Sequence, residues 1–446
     1  MLQATLNAFR IADLRRKILF TIGILILVRF IAHVPVPGIN LSELAKVIEG
    51  NQALGILNVF SGGTLSQFSV IAMGVYPYIT ASIVMQLLIG IIPRLTELSK
   101  EGESGRAQIN RITHYVSVPL AALEAYGLLR QFSNGAALGA STSLLNFKFG
   151  LLDGNADRLF SWAVLVAMVA GTILLVWMGE LITEYGIGQG VSIIIFGGIV
   201  AGLPNKIGQL FNSTAGVGNF IGFIIFILIG IATIIGIVLI QEGQRRIPVN
   251  YARTMMRGGR ITRQSGSSFI PMRVNSAGMI PLIFAIAIML FPSTIAGFFL
   301  GAQSQGIRDF ATGVRDFFSP QTLQYQILYF VMVVAFAFFY TLVQFQQQQI
   351  AENLQKSGGS IPGVRPGAAT DRYLQRVLFR ITLLGALFLG LVAVLPYLGA
   401  IATGSAGTQN LITSTSLLIV VGVAIDTMKQ LEAQLLMRQY EGFIKN

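Results

Sequence analysis

The chain contains no cysteine. Disulfides, thiolate metal sites and a cysteine nucleophile are therefore excluded. It has two histidines, His33 and His114, far apart and outside any HExxH pattern. GxSxG, paired-aspartate and Walker-lysine patterns are missing too. GGTLS at Gly62–Ser66 is no phosphate loop, because no Gly-Lys-Ser/Thr follows. These absences leave no catalytic, metal or cofactor site to expect, and the chain reads as a non-enzyme. Charge is also scarce. Only 11% of the 446 residues are charged, where a soluble domain carries about twice that share.

Apolar residues take that place. They make up 53% of the chain, and the mean hydropathy is +0.69. The expected class is an all-α polytopic membrane protein. Ten apolar spans are expected, near 18–36, 73–92, 114–132, 158–178, 187–203, 217–240, 276–300, 324–344, 381–399 and 411–428. The apolar run after Lys17 ends in HVPVPG, without a small-residue cleavage site, so a cleavable signal peptide is not expected.

The net charge of +12 suggests nucleic acid until its placement is examined. With the N-terminus inside, 23 of the 31 basic residues fall on inner segments and seven on outer ones, and Arg29 sits within span one. The positive-inside rule then places both termini in the cytoplasm. Ten spans divide into five and five. A five-span unit reverses direction when repeated, so if the halves are a duplication, 1–205 and 206–446 form an inverted repeat whose interface lies near the midplane.

Two inner loops, 241–275 and 345–380, exceed what a connection needs. One reading is a solvated positive-inside loop. The other is a docking surface: the first loop carries seven arginines against Glu242, mixed with Tyr251, Ile261, Phe269 and Ile270, which suits RNA phosphate or an acidic partner.

The stretch Phe60–Leu88 organises the rest. It opens with a short half-helix, Thr64 to Ala72 at its core, that spans about 13 Å and cannot cross about 30 Å of hydrocarbon. Gly74 and Pro77 break it from an apolar helix that can. Val75, Ile79, Ser82 and Gln86 share one face of that helix, apolar at one end and polar at the other. Such a stripe suits a funnel wall narrowing to an apolar seal. Val191 and Ile195 repeat the spacing in span five. For any single isoleucine, ordinary core packing explains the position equally well. Arg29 and Glu124 are deep in their spans. Glu124 reads as an interhelical polar contact or as a coupling carboxylate.

Specific motifs then carry a resemblance. NVFSGGTLS (Asn58–Ser66), PYITASI (Pro77–Ile83), KEGESGR (Lys100–Arg106), TEYGIGQGVSIIIFGGIVAGLP (Thr183–Pro204), GQRRIPVNYA (Gly243–Ala252), VNSAGMIP (Val274–Pro281) and KSGGSIPGVRPG (Lys356–Gly367) occur in order along nearly the whole chain. Together they resemble the SecY family, channel subunits of the bacterial Sec protein translocase.

The resemblance implies a channel that translocates unfolded secretory polypeptides and releases apolar segments sideways into lipid. It implies two inverted five-span halves around a central pore, with a pore ring of Val75, Ile79, Val191, Ile195, Ile283 and Ile419. It implies a plug at 61–73 that includes Ser61, Gly62, Gly63, Thr64, Leu65, Ser66, Gln67 and Phe68. Thr80, Ser82, Gln86, Glu124 and Asn275 match a lateral gate where signal sequences bind, between spans two and three on one side and seven and eight on the other. Arg245, Arg246, Arg257, Arg260 and Arg365 would dock cytosolic partners. The implied partners are SecE- and SecG-like small membrane subunits, the motor ATPase SecA, the ribosome, signal peptides and nascent chains, and the lipid bilayer. The implied location is the bacterial inner membrane, with a thylakoid membrane as the alternative. QFQQQQIAENLQKSG at the exit of span eight departs from the family pattern, and the region around Met255–Arg260 is slightly longer than usual. A secondary transporter with inverted repeats, marked by a midplane charged or Na⁺-coordinating cluster, and a structural membrane scaffold are the competing readings.

Overall fold

The computed structural model describes residues 11–444 apart from 51–53, 56, 59–60, 134–143, 148, 151–156, 214–219, 258–259, 279, 300–303, 320–321 and 404–413. In chain order the helices are α1 (Ala12–Ala32), α2 (Leu41–Gly50), α3 (Tyr76–Ile91), α4 (Pro93–Lys100), α5 (Glu103–Ser133), α6 (Arg158–Tyr185), α7 (Gly190–Ser213) and α8 (Phe220–Glu242). Then come α9 (Ile280–Phe299), α10 (Gln305–Phe317), α11 (Leu323–Gln348), α12 (Ile350–Lys356), α13 (Ala368–Thr403) and α14 (Ser414–Ile444). Each apolar segment read from the sequence overlaps one of these helices over its described residues. The molecule is a helical polytopic membrane protein. Among the described residues, Arg158–Tyr185, Leu323–Lys356 and Ala368–Leu395 are long and apolar enough to cross a membrane unaided.

Strands interrupt the expected all-α pattern. β1 (Gln244–Arg257) pairs antiparallel with β2 (Arg260–Arg273), and β3 (Gly359–Ser360) adds to the other edge of β1. The stretch 241–275 was read as a loop, and the structure corrects that reading. Around IPVNY, apolar and polar residues alternate with period two: Ile247 and Val249 are buried, while Arg246, Pro248 and Asn250 are exposed.

The chain divides into two compact units: residues 1–228, 287–326 and 396–446, and residues 229–286 and 327–395. In the first, α3 and α4 meet at 101°. Ile92 is extended there because Pro93 excludes the helical conformation from the residue before it. Pro77 is tolerated in the first turn of α3, where its missing N–H costs nothing. α6 and α7 turn on the GIGQG segment. The Thr183 hydroxyl accepts from Gly190 N (2.9 Å), and the Thr21 hydroxyl of α1 accepts from Ile187 N (3.2 Å). A Cβ at Gly190 would collide with the Gly179 carbonyl, so this turn admits no side chain there.

In the second unit the stretches 241–275 and 345–380 form one small domain. Ile247, Val249 and Met272 of the strands share an apolar core with Phe345, Leu354, Ile361, Leu374, Val377 and Leu378. Two stretches read separately from the sequence are thus one folded object.

Candidate functional site

The segment 61–75 is the centre of the first unit. The sequence reading expected a half-helix over 61–73, and the structure shows consecutive turns instead. Gly62, Gly63, Gly74 and the non-glycine Phe68 (φ 40°) all take positive φ, which no helix accommodates. Side chains hold the turns. Thr64 Oγ1 lies 2.9 Å from both the Ser61 and Ile71 carbonyls. Ser66 N donates to Asn58 Oδ1 (3.0 Å), and Ser66 Oγ donates to the Gly63 carbonyl (2.8 Å). The backbone of 34–36 runs alongside 68–70, with Val36 N to Phe68 O at 2.9 Å and Val70 N to Val34 O at 3.2 Å.

Leu65 and Phe68 anchor the segment. Both are buried in one cluster with Val36, Leu44, Leu129, Phe132 and Met168, and the Phe68 and Phe132 ring centroids are 5.7 Å apart. Burying two such side chains is worth roughly 3–6 kcal/mol against leaving them exposed, so release of this segment opposes a real load.

Of the ring candidates, Val75 and Ile195 line one cavity of about 270 Å³ together with Ser61, Gly62 and Thr64. Ile79 and Val191 are half-buried. Ile419 is buried in α14, and Ile283 is buried in α9. Gln86 Nε2 lies 3.4 Å from Ser82 Oγ, one turn away.

The gate candidates on α3 and α5 meet. Thr80 Oγ1 lies 3.0 Å from Glu124 Oε1. Glu124 Oε2 and Gln86 Oε1 are buried without a hydrogen-bond partner among the described residues. Asn275 belongs to the second unit, where Nδ2 donates to the Gly278 carbonyl (3.1 Å) and holds the turn before α9.

The docking candidates Arg245, Arg246 and Arg365 are all exposed. Arg246 stacks over the Phe269 ring, with Cζ 4.9 Å from its centroid, across the strand pair. Thr370 Oγ1 closes the GVRPG turn by donating to the Arg365 carbonyl (2.8 Å). Arg257 and Arg260 are paired at the hairpin end; their side chains lie outside the described residues.

Sequence reasoning noted Arg29 without giving it a part. The structure does: Nη1 donates to the Gly62 carbonyl and Nη2 to the Gly197 carbonyl, each at 3.0 Å. The available signal was an arginine inside an apolar span, which requires a partner. Gly197 and Gly198 were indistinguishable from packing glycines.

The architecture defines a class: a helical membrane protein in which a short turned segment, too short to cross, is held among spanning helices, with a separate polar-faced domain built from two loops. The family model for SecY matches residues 69–428. The protein translocase subunit SecY of Halalkalibacterium halodurans is 41% identical over 452 residues, and that of Streptomyces coelicolor 40% identical over 451, each covering 100% of both chains. The chain belongs to the SecY family. Solved structures share the fold. One described as "The structure of a protein conducting channel" superposes with a TM-score of 0.64 at 18% identity, covering 94% of this chain and 92% of the other. Another, described by the plug domain of SecY that stabilises the closed channel and maintains a membrane seal, gives 0.61 at 20% identity with the same coverage. Sec61 from a canine ribosome–channel complex gives 0.59 at 18% identity, again covering 94% and 92%.

Proposed function

We propose that this chain is the protein-conducting channel of a bacterial cytoplasmic membrane, passing unfolded secretory polypeptides across and releasing apolar segments sideways. The observation that carries the reading is the segment 61–75. It is a turned, non-spanning stretch seated on apolar residues and bordering a cavity that also contacts Val75 and Ile195. That is the construction expected of a stopper above a seal.

In this reading the ten spans form two inverted halves, 1–205 and 206–446, with both termini cytoplasmic. Ser61–Phe68 belong to the plug. Val75, Ile79, Val191, Ile195, Ile283 and Ile419 form the apolar ring. It excludes hydrated ions by dewetting and yields to an extended chain. Thr80, Ser82, Gln86, Glu124 and Asn275 belong to the lateral gate. A signal sequence leaves there because partition into lipid gains about 25 cal/mol per Å² of apolar surface. The chain catalyses no covalent chemistry. Energy comes from cytosolic partners that dock on the two-loop domain through Arg245, Arg246, Arg257, Arg260 and Arg365: a SecA-like motor ATPase, or a ribosome. The ribosome-bound state of a structural neighbour supports the second. Small SecE- and SecG-like subunits complete the complex.

The test is reconstitution. The chain purified with its copurifying small subunits, in proteoliposomes with the motor ATPase and ATP, should protect a secretory precursor from added protease. Vesicles lacking the chain should not. Equal protection in both would end the proposal.

A further inference from the structure

We propose that Arg29 is the latch of the plug: its guanidinium clamps the Gly62 carbonyl to the Gly197 carbonyl of α7 and must release Gly62 before the segment can move. This rests on the reading of 61–73 as a plug.

The geometry is that of a fork closed on two backbones. Nη1 reaches Gly62 O and Nη2 reaches Gly197 O, both at 3.0 Å. At the same place the two backbones touch. A Cβ built on Gly62 would lie 3.0 Å from Gly198 Cα, and one built on Gly198 would lie 2.4 Å from Gly62 Cα. Gly62 also has φ +72°, a conformation that L side chains rarely adopt. The glycine pair makes the approach possible, and the arginine spans it.

The surroundings decide how firmly the fork holds. The cavity beside it is lined by apolar groups such as Ile22, Ile26, Val28, Val75 and Ile195, and among its lining residues Arg29 is the charged one. Charge-assisted hydrogen bonds are roughly twice as strong as neutral ones, and a guanidinium among apolar walls has few substitute acceptors. Plug departure therefore strands one of its donors until another carbonyl arrives. A translocating extended chain presents a carbonyl at every residue. The incoming backbone thus replaces the one that leaves, whatever its sequence, and the latch closes again onto Gly62 when the chain has passed. A lysine cannot do this work, since a single ammonium does not reproduce a planar fork aimed at two carbonyls.

Resting conductance in planar bilayers is the first readout. The second is the reactivity of a cysteine introduced at Ser69, 0% exposed in the seated segment, with a membrane-impermeant maleimide, which is clean because the chain has no other cysteine. Arg29→Met should raise both by about tenfold, the expected effect of losing a charge-assisted bond in a two-state equilibrium. Arg29→Lys should fall between Arg29→Met and wild type. Deletion of 61–73 sets the upper limit of conductance, and Arg29→Met in that background should add nothing. If the deletion itself leaves conductance at the wild-type level, the plug reading fails. If the deletion opens the channel while Arg29→Met matches wild type in both readouts, the latch alone is overturned. A further rise on combining the two places the leak elsewhere and also overturns it.

Discussion

Thr80 Oγ1 of α3 lies 3.0 Å from Glu124 Oε1 of α5 and ties the two helices together across their polar faces. The hydroxyl has one proton and further acceptors in reach, the carbonyls of Pro77 (2.9 Å) and Tyr76 (3.3 Å) in its own helix. The link between helices is therefore coupled to the first turn of α3, the turn that follows segment 61–75.

Replacing Thr80 with Val removes the hydroxyl bonded to this carboxylate oxygen and leaves Glu124 Oε1 without a hydrogen-bond partner among the described residues. The expected cost is about 1–3 kcal/mol. It should appear as faster amide hydrogen exchange in α3, whereas Thr80→Ser should exchange as wild type does. Wild-type exchange in Thr80→Val would remove the pair from the account of the gate.

Ile79 and Ile195 test the seal. Ile195 is 4% exposed and lines a cavity with Ser61, Gly62 and Thr64. Ile79→Gly and Ile195→Gly together remove the apolar bulk that dewetting requires, so resting ion conductance should rise severalfold. Unchanged conductance in planar bilayers would contradict the ring assignment.

The arginines test the docking surface. Arg365→Glu should impair motor-driven export while the variant still inserts in the membrane at wild-type levels. Arg245→Glu with Arg246→Glu should weaken ribosome binding and flatten its salt dependence, since fewer phosphate contacts release fewer counterions. Export and binding at wild-type levels would clear these residues of the role.

The two-loop domain makes a separate prediction. Val249 and Leu374 are each 0% exposed in the core shared by the hairpin and the later loop. Val249→Asp leaves an unpaired charge there, at a cost of roughly 3–5 kcal/mol. Limited proteolysis should then cut both 244–273 and 350–378, although only the first carries the change. Cutting confined to the hairpin would show that the loops fold independently.

What the sequence made legible follows from what periodicity and composition report. The apolar segments announced the helices because length and hydropathy are local properties. The face through Ile79, Ser82 and Gln86 was visible for the same reason, and the Thr80–Glu124 contact agrees with the polar contact read for Glu124. The turned form of 61–75 was not legible. Its residues have helix-compatible spacing, and Phe68, at positive φ, packs its ring against Phe132, a contact between residues far apart in the chain. The hairpin was missed because arginine content dominated the reading of 241–275 and hid the alternation of Ile247 and Val249. The joining of that hairpin to 345–380, and the choice of Gly62 and Gly197 as partners of Arg29, depend on contacts between residues far apart in the chain. Neither composition nor spacing encodes them.

The most direct test of the central claim places a photocrosslinking amino acid at position 79 and stalls a secretory polypeptide during export. As a protein-conducting channel, the chain should give a crosslink from position 79 to the translocating polypeptide, dependent on ATP and on the motor. A probe at Leu228, an exposed residue of α8, should give none. Equal crosslinking at both positions, or none at position 79 while export proceeds, would contradict passage of the polypeptide through this chain.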